Sequence, residues 1–448
     1  MLKKLTIYRV FLGIGLLIIY SILFGQLLRK YYLGKNEFQL LQNIAIFIVE
    51  IPSNTKQVLN YFKNRSSPPK LKKHKDKESF KQFIPYKRNA LLVLPRYDHG
   101  ISRSVVDIVD LNNFKVIHTY KHDIAKMHAQ VKNTKKFNRI NIDDSPNRFE
   151  YRHPLILNDG SLISDSENSI EFKIDFCSNL EWINEEEIFH HSKMLDHEGN
   201  LWIPGHMKPY SKYIKQYPIQ NFNEDSIIKI NTNGEILYIK SLMEILIENK
   251  IFDINNVDSD ILQKNKDPVH LNDIEPALSD TQFWKKGDLF LSAKHLSAII
   301  HYRPSNNKVI NYIKGPFSQQ HDVDIISDKE ISIFNNNNFI VDNEFSEVIV
   351  YNFETKEFRK IFNNQLKNEN FKTKSQGLSH IFNDGALMVE EQNHGRIILF
   401  NNQGQKEWEY VNKDTNGNIG FVSWSRVIED QLFIEKFKLL IKNNKCVN

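Results

Sequence analysis

Five histidines between Arg152 and Glu390 each open a short apolar strand that runs into a polar or glycine turn and then a second strand: His153, His191, His270, His321 and His380. A neutral imidazole is nucleophilic near pH 7, so histidines gathered at one place could accept a transferred group and release it in a second step. Three of them sit in richer surroundings. His190-His191-Ser192 follows Phe189; His270-Leu-Asn272 is followed downstream by Ser292-Ala-Lys294-His295; and Gln319-Gln320-His321-Asp322 leads to Phe334-Asn335. Asp322 or Glu275 could orient a histidine tautomer, and either equally suits a polar contact between neighbouring strand units. The long separations between the histidines give no recognisable metal-ligand spacing, so no metal is expected.

The elements that must position these residues repeat. His153-Pro-Leu-Ile-Leu-Asn-Asp-Gly160 parallels His380-Ile-Phe-Asn-Asp-Gly385, and strand–turn–strand runs such as Ile227 to Tyr238, Val348 to Phe358 and Arg396 to Trp408 have the form of outer hairpins. A self-similar unit of tens of residues with several short strands predicts an all-β fold, a β-propeller, whose first strands line a central channel. Units fall near 89–122, 149–187, 188–242, 267–315, 318–363 and 375–412. The tail from Phe421 through Arg426 to Gln431-Leu-Phe-Ile-Glu435 reads as the inner strands that the first unit lacks. Six blades are expected, closed by pairing the chain ends, because closure leaves no open sheet edge. Helical periodicity is confined to a short surface helix at Ser241–Lys250. Met127–Arg148 and the insert at 243–266 fit no blade.

Ahead of the repeats, Val10 to Leu28 is an uncharged run long enough to span a bilayer, which predicts a transmembrane helix over residues 1–34. Arg29-Lys30-Tyr31 follows it in place of a small-residue cleavage site, so it reads as an anchor. Lys3, Lys4 and Arg9 precede it and Arg29, Lys30 and Lys35 follow, a balance that fixes no orientation. Phe38 to Ile51 is expected to be an amphipathic or interfacial helix, and residues 35–88 a juxtamembrane segment whose basic run Lys70–Lys77 reads as solvated linker, with a lipid-headgroup contact as the sharper alternative. The β-rich domain runs from 89 to 448. A net charge of +5 over 448 residues does not imply a nucleic-acid surface. The only two cysteines, Cys177 and Cys446, are too few for a disulfide framework; one bridge or two free thiols are both open.

The clusters at His190-His191, His270-Leu-Asn272 with Lys294, and Gln320-His321-Asp322 resemble the bacterial arylsulfotransferase family. The likeness extends in order to Gln376-Gly377, Asn383-Asp-Gly385, Glu390-Glu391, Gly395-Arg396 and Trp408-Glu-Tyr410. That resemblance implies a six-bladed propeller that moves a sulfuryl group from a phenolic sulfate ester to a phenol acceptor, with no nucleotide donor and no cofactor, on the periplasmic or extracytoplasmic side. It implies that His321 takes the sulfuryl group covalently, that His270 and Asn272 bind sulfate oxygens, and that His190 or His191 is a further channel histidine. Lys294 stands where the family commonly shows Arg, which keeps the charge and loses the two-pronged contact. The chemistry agrees, because sulfuryl transfer spreads charge over three oxygens and asks for in-line positioning and a ring of donors.

Two other residues are substrate-binding candidates: His380, and Arg426 pointing into the channel from the closing blade. Against these roles stands a structural reading, in which histidines at strand starts only hydrogen-bond neighbouring blades. His153 and His380 fit that reading best, and Trp202, Trp408 and Trp424 read as blade core. A non-catalytic propeller that binds a ligand or scaffolds a complex at the membrane is the competing function. A cofactor-dependent oxidoreductase has no recognisable motif here.

Overall fold

Short runs of β-branched and aromatic residues punctuated by Asn, Asp and Gly build most of this chain. The computed structural model describes residues 2–32, 38–65, 71–85, 87–133, 136–137, 149–215, 222–252, 266–338, 345–444 and 446. Two compact units are formed, Met1–Ser67 and Pro68–Asn448. The first contains helix α1 (Leu2–Tyr32) and helix α2 (Gln39–Arg65), which carries Pro52. Within α1, Phe11–Lys30 is long and apolar enough to cross a membrane. The stretch beginning at Phe38 is helical as expected, but it continues well past Ile51.

The second unit is mostly β, a propeller-like ring of antiparallel sheets. Arg426–Ile428 pairs with Leu91–Asp98, which continues to Arg103–Asp110 and Lys115–Tyr120, so the chain ends close one sheet as expected. Two further four-stranded sheets start at Leu271–Pro276 and Val323–Ser327. A fourth starts at Leu378–Ile381 and gains Phe80–Gln82 as an outermost fifth strand. Six separate sheets are not formed. One sheet has eight strands, because the ten-residue strand Leu180–Phe189 outruns its blade and its end pairs with Leu201–His206: Phe189 faces Gly205 and Ile188 faces His206.

Adjacent sheets are stitched by side chains that accept from backbone N–H groups in or just before the next inner strand. Ser192 Oγ accepts from Ile274 N, Asp273 from Val323 N at 2.9 Å, Asp322 from Ser379 N at 3.0 Å, and Glu390 from Trp424 N and Ser425 N at 2.8 Å each. Buried amides at strand starts lack ladder partners, so these carboxylates meet a demand that sheet pairing leaves open. Asp322 therefore makes the contact between units, the second of its two sequence readings.

Three expectations change. The tail after Arg426 is not all strand: Gln431–Asn443 is an α-helix capped by Asp430, whose carboxylate accepts from Leu432 and Phe433 N. It buries Ile434 and Phe437, a helical spacing that a strand reading of Gln431-Leu-Phe-Ile missed. Helix Leu242–Glu248 is where the sequence put it, but Leu242, Met243, Ile245 and Leu246 are buried, so it is part of the core. Of the basic run, the described part from Leu71 is docked: Lys73 and His74 pair with Glu391, and Lys77 with Glu409. Buried carboxylates on the fourth sheet supply that attraction, so this run is not solvated linker. Much of the unassigned stretches, 138–148 and 253–265, lies outside the described residues.

Cys177 and Cys446 form a disulfide across 269 residues of sequence, tying the chain just past the C-terminal helix to the turn between strands Ser169–Ile174 and Leu180–Phe189. Closing so long a loop constrains the unfolded chain, an effect of about 2–4 kcal/mol. For a unit of this size, Cys446→Ser is expected to lower the unfolding midpoint by roughly 3–5 °C. Thermal melts followed by circular dichroism check this, and an unchanged midpoint would show that the bridge is dispensable.

Candidate functional site

The inner strands are entered through residues in the left-handed backbone region: His153 (φ 39°), His191 (63°), His270 (53°), Gln319 (53°), Gln376 (59°) and Trp424 (55°). Non-glycine residues adopt this conformation at a cost, and they cluster where a side chain must be aimed. Here they converge. The His191 ring centroid lies 5.3 Å from His270, 6.3 Å from His321 and 5.9 Å from Trp424, and Trp424 lies 5.4 Å from His153 and 6.4 Å from His321. Trp424 thus touches three of the channel histidines while packing in a blade core, as the sequence reading has it. His153, read as blade geometry, belongs to the same ring cluster.

His321 is the most constrained of these. Its Nδ1 meets Asn336 Oδ1 at 2.6 Å, and its Nε2 meets the backbone N of Gln376 at 2.8 Å. An amide oxygen only accepts and a backbone N–H only donates, so the proton is on Nδ1 and the lone pair on Nε2. Burial, with the neighbouring charges of Lys294 and His270, holds its pKa well below that of a free imidazole. His153 and His191 are pushed the same way, also chiefly by burial. His153, His191 and His321 are therefore neutral imidazoles at pH 7.

His270 presents the opposite edge. Its Nδ1 is 2.5 Å from Asp267 Oδ2, which fixes that edge and leaves Nε2 as the free one. Burial opposes ionisation of Asp267, but the hydrogen bond from His270 and its charge bring the carboxyl below its usual range. Lys294 is half-buried, and burial lowers its pKa while Asp267 and Glu167 oppose the shift. Asn272 is fully buried, and its amide nitrogen donates to Gln320 O at 3.1 Å, so it braces the peptide just before His321. His190 is turned away from the ring centre, its Nδ1 2.7 Å from His191 Nδ1. Between the two candidates, His191 is the one that meets His270 and His321.

Arg426 and His380 lie to one side of this ring and meet it at His153, which lines the same cavity. That cavity is about 190 Å³ and is lined also by Asp273, Asp322 and Asp324. Arg426 donates to Lys193 O at 2.6 Å and Pro154 O at 3.3 Å, and its guanidinium offsets the crowd of Asp273, Glu275, Asp322 and Asp324. Burial raises those carboxyls, Asp273 to about 6 and Asp324 to about 7. His380 is partly exposed and pairs with Glu429 at 3.4 Å. It is not the counterpart of the other strand-opening histidines, because Gln376, four residues earlier, holds the left-handed position in that unit.

Sequence reasoning missed Asn336, Asp267 and Arg152, and gave no role to Gln376 although it lies in the family likeness. Asn336 lies one residue past the Phe334-Asn335 turn that drew attention. Arg152 is buried beside His191, and in the amide orientation that satisfies both partners Gln376 Oε1 accepts from its Nη1 and Nη2 at 2.5 and 2.8 Å. Its adjacency to His153 was the available signal.

A family model described as arylsulfotransferase (ASST) matches residues 153–413. No functionally curated protein matches the chain. Among solved structures, a Bacteroides caccae protein of unknown function aligns over 76% of this chain and 100% of its own at 10% identity and a TM-score of 0.47. Virginiamycin B lyase from Staphylococcus aureus aligns over 74% of this chain and 87% of its own, at 10% identity and a TM-score of 0.37.

Proposed function

Because the chain belongs to the arylsulfotransferase family, we propose that it transfers a sulfuryl group from a phenolic sulfate ester to a phenol through a covalent intermediate on His321. The observation that carries this reading is the neutral His321, with its proton on Nδ1 held by Asn336 and its Nε2 lone pair unprotonated, receiving the Gln376 backbone N–H. In the first half-reaction Nε2 attacks sulfur, the sulfur–aryl oxygen bond breaks, and the phenolate leaves. In the second, a phenol oxygen attacks the same sulfur and its proton passes to solvent, balancing the proton that the departed phenolate takes from solvent, and the nitrogen–sulfur bond breaks to restore His321. The three sulfuryl oxygens are met by the Nε2–H of His191, by Lys294, and by His270 Nε2 when that ring carries both protons against the Asp267 carboxylate, with Asn272 bracing the nucleophile's strand. Arg152 restores a guanidinium near the site, offsetting the lysine at 294. In the resting state the Gln376 N–H occupies the attacking lone pair, so the donor must displace it.

The eight-stranded sheet serves as two blades joined edge to edge. The six left-handed entries, one per inner strand, support a six-bladed ring. The helix Phe11–Lys30 anchors the protein in a membrane, and the Cys177–Cys446 bridge supports an oxidising, extracytoplasmic side.

Full-length protein in detergent, given 4-nitrophenyl sulfate and a phenol, is expected to release nitrophenol only when the acceptor is present. No release under any acceptor would leave a non-catalytic propeller as the better reading. The pH profile follows from the site. The reactive form of His321 is unprotonated, and its pKa is depressed well below 6.5, so kcat/KM is expected to stay flat as pH falls through 6.5. An acid limb centred there would contradict the assignment of the nucleophile.

A further inference from the structure

Behind the channel ring, three side chains with no part in the proposed transfer meet at one point. His190 lies just past strand Leu180–Phe189, while His206 ends strand Leu201–His206 and is paired in register with Asp225, the first residue of Asp225–Ile230. They are 2%, 7% and 2% exposed respectively. His190 Nε2 and His206 Nδ1 are each 3.5 Å from Asp225 Oδ1. None of these atoms, nor Asp225 Oδ2, has a hydrogen-bond partner of normal geometry.

The tautomers make the gap informative. His206 Nε2 is 3.0 Å from Asn168 Oδ1, an acceptor, so its proton is on Nε2 and Nδ1 carries a bare lone pair aimed at the carboxylate. His190 Nδ1 shares a proton with His191 Nδ1 at 2.7 Å; when His190 supplies it, its Nε2 is a second bare lone pair. Two lone pairs and a carboxylate then face one another. A single water has two protons for these four acceptor atoms, whereas a cation satisfies them together. The two nitrogen–oxygen spacings also fit, because ligands about 2.0–2.1 Å from a tetrahedral ion stand about 3.4 Å apart, and the three ligand atoms all lie within 4.8 Å of one another.

We propose that His190 Nε2, His206 Nδ1 and the Asp225 carboxylate bind a divalent transition-metal cation, with zinc the best match to a buried two-histidine, one-carboxylate set. Burial lowers the pKa of both imidazoles to about 3, so protons do not compete for them near neutrality. Asp267, His270 and His295 also lie together, but His270 Nδ1 already engages Asp267 Oδ2 at 2.5 Å and His295 Nδ1 engages Asp267 O at 2.6 Å. The metal has a positioning role. It fixes His190 with its proton on Nδ1, which makes His191 an acceptor at Nδ1 and a donor at Nε2, the edge facing the channel. The binding site itself does not depend on the sulfuryl-transfer reading.

Full-length protein in detergent, stripped with a chelator and titrated with Co²⁺, is expected to bind one equivalent with ligand-field absorption of a low-coordinate nitrogen–oxygen site. Zn²⁺ should displace it. His206→Gln and Asp225→Asn are each expected to weaken binding at least about tenfold, while His295→Ala leaves it unchanged. Binding below a tenth of an equivalent in the wild type overturns the proposal, as does binding lost in His295→Ala and kept in His206→Gln. If either ligand variant fails to fold, the wild-type titration and its metal content decide.

Discussion

His321→Ala is expected to reduce kcat/KM for acceptor-dependent release of 4-nitrophenol by roughly 10³–10⁴-fold, about 4–5.5 kcal/mol of transition-state stabilisation. The size follows from what is removed. Without Nε2 there is no covalent acceptor, and what remains is a set of donors able to bind sulfate without splitting the transfer into two steps. The variant should fold, because His321 is held by Asn336 and Gln376 and not by the sheet-to-sheet stitching, which uses Asp322. Donor binding should persist, so the loss should fall on kcat. Radiolabelled donor offered without acceptor should leave acid-labile label on the wild type and none on the variant. Release that continues unchanged would move the nucleophile elsewhere in the ring, with His191 the next candidate.

The fold class was legible because blade strands are short, alternate in polarity and repeat, and chain-end closure followed from the incomplete first unit. The sheet count was not legible. Whether Leu180–Phe189 stops at its own blade or runs on to meet Gly205 and His206 depends on backbone pairing that composition does not encode. Within the site, His191, His270 and His321 converge as the repeat predicts. His380 shows where the repeat misleads: it resembles His153 in the residues that follow, yet the left-handed turn sits at Gln376, and His380 faces Glu429. Of the partners that set tautomers, Asp267, close before His270 in sequence, was within reach of the reading and was passed over, whereas Asn336 left little signal because it only has to arrive at hydrogen-bond distance from another strand. The His190–His206–Asp225 group is hidden for the same reason as Asn336. Its ligands come from three strand ends, so their sequence spacing follows loop lengths and not any metal motif.

Lys193→Met is expected to destabilise the second unit by about 3–5 kcal/mol. Lys193 is fully buried; its ammonium lies 3.2 Å from Asp165 and 3.9 Å from Glu171 and donates to Arg152 O at 2.9 Å. Burial raises both carboxyls, Asp165 to about 6 and Glu171 well above its usual range, while the Lys193 charge opposes the shift. Methionine fills similar volume and removes that opposition, leaving two like groups in a dry interior. Their folded pKa values then rise further above the unfolded ones, so the folded state holds more protons, and stability is lost as pH rises through the folded values. The variant should therefore lose more at pH 8 than at pH 5, and urea midpoints at the two pH values measure this. An equal loss at both would mean that packing, and not charge, is what Lys193 supplies. The damage should reach the site as well, since the Lys193 amide donates to His153 Nδ1 at 3.3 Å and its carbonyl holds Arg426. Loosening that peptide frees the left-handed turn at His191 two residues earlier, so residual folded enzyme should show a lower kcat even where it remains fully soluble.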